Sequence, residues 1–266
     1  MALFDLAVLA LIQGITEFLP ISSSGHLALW PLLTGRPDQG VSIDVAVHLG
    51  TLVAVCLYFR SDIGGIALGI RDILSGRVGT AGARLVWLLA IATLPAVAAG
   101  LALKLSGAMG ALRSVEVIGV ATLAGGLLLW AADRWGSHGE RPWGWRDAVL
   151  MGLAQAVSLI PGTSRSGACM TAARALGYAR PEAARLALLM AVPTILAAGL
   201  VETAGLVAEG DLALGADFAL GAALAFVSAL GALAVMMRMF RNGWSMAPFV
   251  AYRLVLGVVL LAIAWG

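Results

Sequence analysis

Two stretches decide the fold. Gln13-Gly14-Ile15-Thr16-Glu17-Phe18-Leu19-Pro20-Ile21-Ser22-Ser23-Ser24-Gly25-His26 interrupts the apolar run of residues 6–33, and Pro161-Gly162-Thr163-Ser164-Arg165-Ser166-Gly167 interrupts that of residues 148–176. Each run reads as an apolar half-helix, a Pro/Ser/Gly break and a second half-helix. At membrane depth such breaks survive only inside protein or against a water-filled cavity, because lipid cannot hydrogen-bond the exposed backbone groups.

The composition around them leaves one class of protein. Of 266 residues, 61% are hydrophobic and 12% charged, and the mean hydropathy is +0.95. A soluble domain carries about 25% charged residues, so this chain lacks the polar groups to cover a globular surface. A soluble enzyme, a disordered chain and a secreted disulfide scaffold are excluded, which leaves an all-α polytopic integral membrane protein. The net charge of +2, with Lys104 the one lysine among 17 basic residues, argues against a nucleic-acid partner. Cys56 and Cys169 share no metal-type spacing and imply no disulfide framework. The start, Met1-Ala2-Leu3-Phe4-Asp5, has no basic n-region or clear cleavage site and is expected to open the first membrane segment rather than a signal peptide.

Residues 85–103, 117–132 and 218–237 are clear spans; residues 43–59, 186–201 and 247–265 are further spans that contain or border charges. A spanning helix needs about 20 mostly apolar residues. The connecting stretches 60–84, 133–147 and 238–246 are rich in arginine, whereas 202–217 carries Glu202, Glu209, Asp211 and Asp217 and no base. The positive-inside rule places the first three in the cytoplasm and the acidic stretch outside, with Lys104 and Arg113 as minor violations. On that topology the first broken segment enters and returns from outside and the second from the cytoplasm, so both are re-entrant, from opposite faces. They also resemble each other. Gln13 and Gln155 each precede a glycine, Gly25 and Gly167, by 12 residues, and an offset of 142 superposes Ser22 on Ser164, Ser23 on Arg165 and Ser24 on Ser166. Leu94-Pro95 and Val192-Pro193 are each followed by an Ala-Gly-Leu stretch. One membrane domain built as an inverted repeat, with halves of approximately 1–132 and 133–266, is expected, the two discontinuous elements meeting at a site near the midplane.

The breaks hold the chemistry. Gln13 and Glu17 share a helix face at i and i+4, and a carboxylate inside an apolar helix needs a partner. Glu17 could hold a divalent cation through oxygen, orient His26, or accept a proton. Ser22, Ser23, Ser24 and Gly25 offer hydroxyls and backbone N–H groups that suit phosphate where a helix opens, and His26 can shuttle a proton. Arg165, flanked by Gly162, Thr163, Ser164, Ser166 and Gly167, suits bidentate capture of phosphate oxygens or stabilisation of a phosphoryl-transfer transition state. The competing structural accounts are a capped helix break with a polar plug, and an Arg165 that only pairs with Glu17. Elsewhere, His48 is expected to be a packing residue, Arg253 to snorkel to the cytoplasmic face, Trp143 and Trp145, in the loop that also carries His138, to be interfacial anchors, and Gln155 to hydrogen-bond between helices. The signature of the type 2 phosphatidic-acid phosphatases is absent, because the residue six after Arg165 is Thr171 rather than His.

At these residues the sequence resembles the bacterial undecaprenyl-diphosphate phosphatase family, also called the bacitracin resistance proteins. The two long motifs above carry the resemblance, together with His48-Leu49-Gly50-Thr51, Ala191-Val192-Pro193, Pro248-Phe249 and Tyr252-Arg253, and it extends over nearly the whole chain. It implies an inner-membrane hydrolase that removes the terminal phosphate of undecaprenyl diphosphate, recycling the carrier lipid of cell-wall synthesis, from a site open to the periplasm. It implies a divalent metal, Mg²⁺ or Ca²⁺, near Glu17 and Gln13. It places the family's nucleophilic serine on Ser23, its essential histidine on His26 and its phosphate-binding arginine on Arg165. Two positions depart: Gln13 removes one carboxylate of the glutamate-rich motif, and Cys169 stands where some members carry threonine. The expected partners are the lipid diphosphate, membrane lipids and, as an assembly, a homodimer. Ser23, helped by His26, either attacks phosphorus or positions water. A flippase or ion carrier with the same repeat and a non-catalytic lipid-binding paralogue are the alternatives.

Overall fold

The computed structural model describes the chain except residues 1–2, 36–39, 109, 137–138, 140 and 210–214, so His138 and Asp211 lie outside the described residues. The described chain is helical: α1 (Leu3–Thr16), α2 (Ser23–Thr34), α3 (Val41–Tyr58), α4 (Arg60–Leu74), α5 (Ala81–Ser106), α6 (Val115–Trp135), α7 (Trp145–Val157), α8 (Arg165–Ala175), α9 (Arg180–Glu209), α10 (Ala216–Arg241) and α11 (Ala247–Trp265). Six of them, α3, α5, α6, α9, α10 and α11, are long and apolar enough to cross a membrane. They coincide with the six expected spans, and the two expected broken segments are the pairs α1–α2 and α7–α8.

Helix α9 forms the centre. Residues 186–190 are buried all round, as expected of a helix apolar on every face. It packs on α3, α5, α8 and α10, while α1 leans on α3 and α10, α7 on α5 and α8, and α11 on α6. Small residues set these approaches. A side chain at Gly14 would strike Ala225 and Ser228 of α10, one at Gly50 would strike Ala222 of α10, and one at Gly152 would strike Ala92 of α5. Membrane helices without a hydrophobic drive between them gain from such close van der Waals contact. The outer faces keep Leu94, Leu101, Leu128, Val227, Val235 and Val255 exposed, the surface a lipid environment requires.

Three features differ from expectation. The arginine-rich stretch 60–84 contains helix α4, whose Ile63, Ile66 and Ile73 share a half-buried face and whose Gly69 presses on Gly82 of α5. Helix α9 runs beyond residue 201 to Glu209, which makes Glu202 helical. Trp143 is no interfacial anchor: it is buried in the main core, because its segment folds inward where Arg84 donates to its carbonyl at 3.4 Å, whereas Trp145 is exposed.

Polar clasps close the arginine-rich end. The Asp133 carboxylate of α6 accepts Arg174 Nε at 3.1 Å, Arg180 Nε at 2.7 Å and the Met246 N–H at 3.1 Å, which joins α6, α8, α9 and the α10–α11 turn. Tyr178 donates to Asp147 at 2.6 Å; burial and that neighbouring carboxylate push its phenol well above the usual tyrosine range.

Candidate active site

The two breaks touch each other. Ser24 Oγ accepts the Gly162 N–H at 3.0 Å, and Ser166 Oγ donates to the Leu19 carbonyl at 2.9 Å. Helix α1 stops where Pro20 removes a donor. Helix α8 starts where Ser164, its N-cap, accepts the Gly167 N–H at 3.1 Å, satisfying one orphan donor of the first turn. Within each break the serine hydroxyls pair two residues apart, Ser22 with Ser24 at 3.1 Å and Ser164 with Ser166 at 3.2 Å. Gly162 has φ 95°, and a Cβ there would lie 2.2 Å from the Ile118 carbonyl oxygen, so both conformation and space demand glycine.

At the junction Glu17 gathers donors from both halves. Its Oε2 accepts Gln13 Nε2 at 2.8 Å and Ser23 Oγ at 3.0 Å, and its Oε1 pairs with Arg165. Two charges at this depth persist because each neutralises the other and further hydrogen bonds complete the carboxylate. A cavity of about 260 Å³ opens beside the pair, lined by Glu17, Ser23, Ser24, His48, Ser164 and Arg165, with Glu202 on its wall. The other expected site residues stand behind this surface. Gln13 is buried against Glu17; Ser22 and Ser166 support Ser24 and Ser164; Gly25 packs near Leu256; and Gly162, Thr163 and Gly167 form the back of the second break.

Both ring nitrogens of His26 have partners other than Ser23. Its Nδ1 lies 2.7 Å from the Ser22 carbonyl and its Nε2 2.6 Å from the Tyr252 hydroxyl, with the two rings stacked. A carbonyl only accepts, so Nδ1 carries the proton and Nε2 of the neutral ring accepts from tyrosine. The group that Ser23 meets directly is Glu17.

Two residues expected to be structural prove central. Arg253 does not snorkel: it is fully buried. It donates to the carbonyls of Thr122 at 3.2 Å, Pro20 at 3.4 Å, Gly162 at 3.1 Å and Thr163 at 2.9 Å. Carbonyls released by both breaks thus converge on one guanidinium, whose planar fork matches several acceptors at once. An arginine inside the last apolar run, with no acid nearby in sequence, was the available signal. His48 also lines the cavity; Nδ1 is tied to the Asp44 carbonyl at 2.7 Å, and Nε2 lies 4.0 Å from Glu17. Gln155 does bridge helices, from Nε2 to the Ala92 carbonyl at 3.2 Å, and buried Cys169 sits behind it. Glu202 is a cavity residue that the sequence placed in a loop.

The donor set bears on a cation. Among the described residues no three His, Cys, Asp or Glu side chains cluster, so no all-protein cage is built. Mg²⁺, however, commonly takes one or two carboxylates beside substrate phosphates and keeps several waters. Glu17 is such a carboxylate, and beside it Gln13 Oε1 is buried with no hydrogen-bond partner. Glu17 faces the cavity and Gln13 lies behind it, so the pair fits an ion that takes most of its ligands from water and a phosphorylated substrate.

The arrangement can hold an anion and activate a serine hydroxyl through a carboxylate. The model of the family "Bacitracin resistance protein BacA" matches residues 6–259. The chain is 54% identical to the undecaprenyl-diphosphatase of Ruegeria pomeroyi and 55% identical to that of Roseobacter denitrificans, over 100% of each chain. It is 48% identical to that of Maricaulis maris over 98% of each chain.

Proposed function

The chain belongs to the bacitracin resistance protein BacA family, and from that premise we propose that it is an integral membrane phosphatase that hydrolyses undecaprenyl diphosphate to undecaprenyl phosphate and inorganic phosphate. One observation carries the site assignment: Ser23, from the first break, donates to a Glu17 that is ion-paired with Arg165 from the second, at the edge of a cavity between apolar helices. The diphosphate enters this cavity. Arg165 spends one N–H group on Glu17 and presents its remaining donors to phosphate. Ser24, Ser164 and the N–H groups opening α2 and α8 add further donors.

Ser23 Oγ attacks the terminal phosphorus while Glu17 takes its proton. The P–O bond to the bridging oxygen breaks and undecaprenyl phosphate leaves. Water then attacks the phosphoserine and the Oγ–P bond breaks; Glu17 returns its proton to Ser23 Oγ, restoring the hydroxyl, and the proton lost by the water leaves with inorganic phosphate. His26, anchored by Tyr252 and Ser22, holds the start of α2 in place. Glu17, with Gln13 Oε1 beside it, would hold Mg²⁺ or Ca²⁺, which would supply charge neutralisation to the diphosphate.

The two half-helix pairs are the re-entrant elements of an inverted repeat, a reading supported by matching serine pairs and by the reciprocal packing of α1 on α10 and α7 on α5. The cavity faces the periplasm of a bacterial inner membrane, a reading supported by Glu202 on its wall, the first residue of the acid-rich stretch that the positive-inside rule puts outside.

The test is phosphate release from undecaprenyl diphosphate by purified protein, with and without Mg²⁺ or Ca²⁺, beside Glu17→Ala and Arg165→Ala. Metal-dependent release lost in both variants supports one composite site. No release from folded wild-type protein overturns the assignment, and full activity in Ser23→Ala overturns the nucleophile.

A further inference from the structure

Two apolar grooves flank the polar cavity. One, of about 350 Å³, runs between α3 and α9 along Leu49, Leu52, Leu196 and Leu200 to Phe218 of α10. The other, of about 450 Å³, lies between α6 and α7 along Val120, Ala124 and Leu128. Only the first of the two shares wall with the cavity: His48, Ile195 and Gly199 line both. A lipid diphosphate needs that continuity, because its charged head and its hydrocarbon tail are one molecule, and a tail drawn over polar groups would strip their water without replacing it.

Gly199 lies where groove and cavity join. Gly14, Gly50 and Gly152 are glycines because a neighbouring helix presses on them, but a Cβ at Gly199 would meet nothing within 4 Å. Glycine in a helix interior costs stability relative to alanine, and here no helix contact requires it. What its missing side chain creates is open floor where groove and cavity join.

We propose that the α3/α9 groove receives the isoprenoid units next to the diphosphate and selects substrates by the shape of that hydrocarbon. The proposal rests on the phosphatase assignment above. Leu49 and Leu196 form opposite walls, and Gly199 marks the passage from head to tail.

A photoreactive undecaprenyl diphosphate with a diazirine on its first isoprene units, added to the full chain in lipid nanodiscs, tests this directly. Cross-links within residues 45–52 and 195–203, competed by unlabelled undecaprenyl diphosphate, are expected. Cross-links within 117–128 or 157–163, or none that the unlabelled lipid competes, overturn the proposal. In parallel, Gly199→Leu should raise KM for undecaprenyl diphosphate roughly tenfold, the effect of reshaping an apolar pocket, with kcat within about twofold, whereas Val120→Trp in the other groove should change neither. An unchanged KM in Gly199→Leu, or a loss confined to kcat, counts against the groove. Phosphate release by wild-type protein in the same samples separates the two levels: if it is absent, the phosphatase assignment fails, and if it is present, only the groove is on trial.

Discussion

Ser22 and Ser164, 142 positions apart, share a rare positive φ: their angles are 73° and 67°, the positive-φ non-glycine residues among those described. A left-handed conformation costs an L-residue roughly 1–2 kcal/mol and persists where the surroundings over-determine it. Each serine turns the chain sharply from a half-helix into the start of the next, and each pairs its hydroxyl with that of the serine two residues on. The internal similarity is therefore one of bond geometry as well as of letters.

This sets two substitutions against each other. Ser164→Gly relieves the strained φ and loses the cap, whereas Ser164→Ala keeps the strain and loses the cap. Ser164→Ala should lower the unfolding free energy by about 1–2 kcal/mol, and Ser164→Gly by less than half of that. Denaturation in detergent micelles measures both, and an equal loss would show that the conformation stores no strain.

Glu17 and Arg165 should act as one unit. Glu17→Gln keeps the shape but strands a buried guanidinium and removes the proton acceptor of Ser23, so phosphate release should fall by about 10²–10⁴. Arg165→Gln should fall comparably, and the double variant should be no worse than the worse single one. Additive losses would separate the two roles.

Arg253 should tolerate little. Arg253→Met leaves several buried carbonyls without a donor at ~1–3 kcal/mol each, so the melting temperature should drop steeply and activity with it. Arg253→Lys, with three donors against five, should recover part of the stability. Equal stability of Met, Lys and wild type in a thermal scan would remove the stapling role.

Gln13 offers a test of the cation. Chelation should abolish phosphate release, and Mg²⁺ should restore it. Gln13→Glu adds a second carboxylate four residues from Glu17, and should lower the half-saturating Mg²⁺ several-fold, readable from Mn²⁺ titration by electron paramagnetic resonance as well as from turnover. Unchanged Mn²⁺ affinity would place the ion elsewhere.

The spans and breaks were legible because hydropathy and Pro/Ser/Gly punctuation are local properties. The Glu17–Arg165 pairing was foreseen only as a structural alternative, since two charges inside apolar segments must find each other. What stayed hidden depends on distance in space. Nothing near His48 in sequence announces that α3 turns it toward Glu17, and Arg253 acquires its acceptors from residues 90 or more positions away. Helix α4 was missed because its charges mask a three-to-four-residue apolar rhythm, and Glu202 because a helix continues to hydrogen-bond after its apolar run has ended.

The manner in which Arg253 is satisfied has an electrostatic corollary. Among the described residues its partners are carbonyl oxygens, which are dipoles and carry no net charge. Glu17 and Arg165 cancel at a distance, but a cation solvated by dipoles still projects a monopole field, and that field is weakly screened where permittivity is low. Arg253 thus contributes a positive charge to the junction before any anion arrives, fixed by the fold and independent of whether the ion pair in front of it is open or closed.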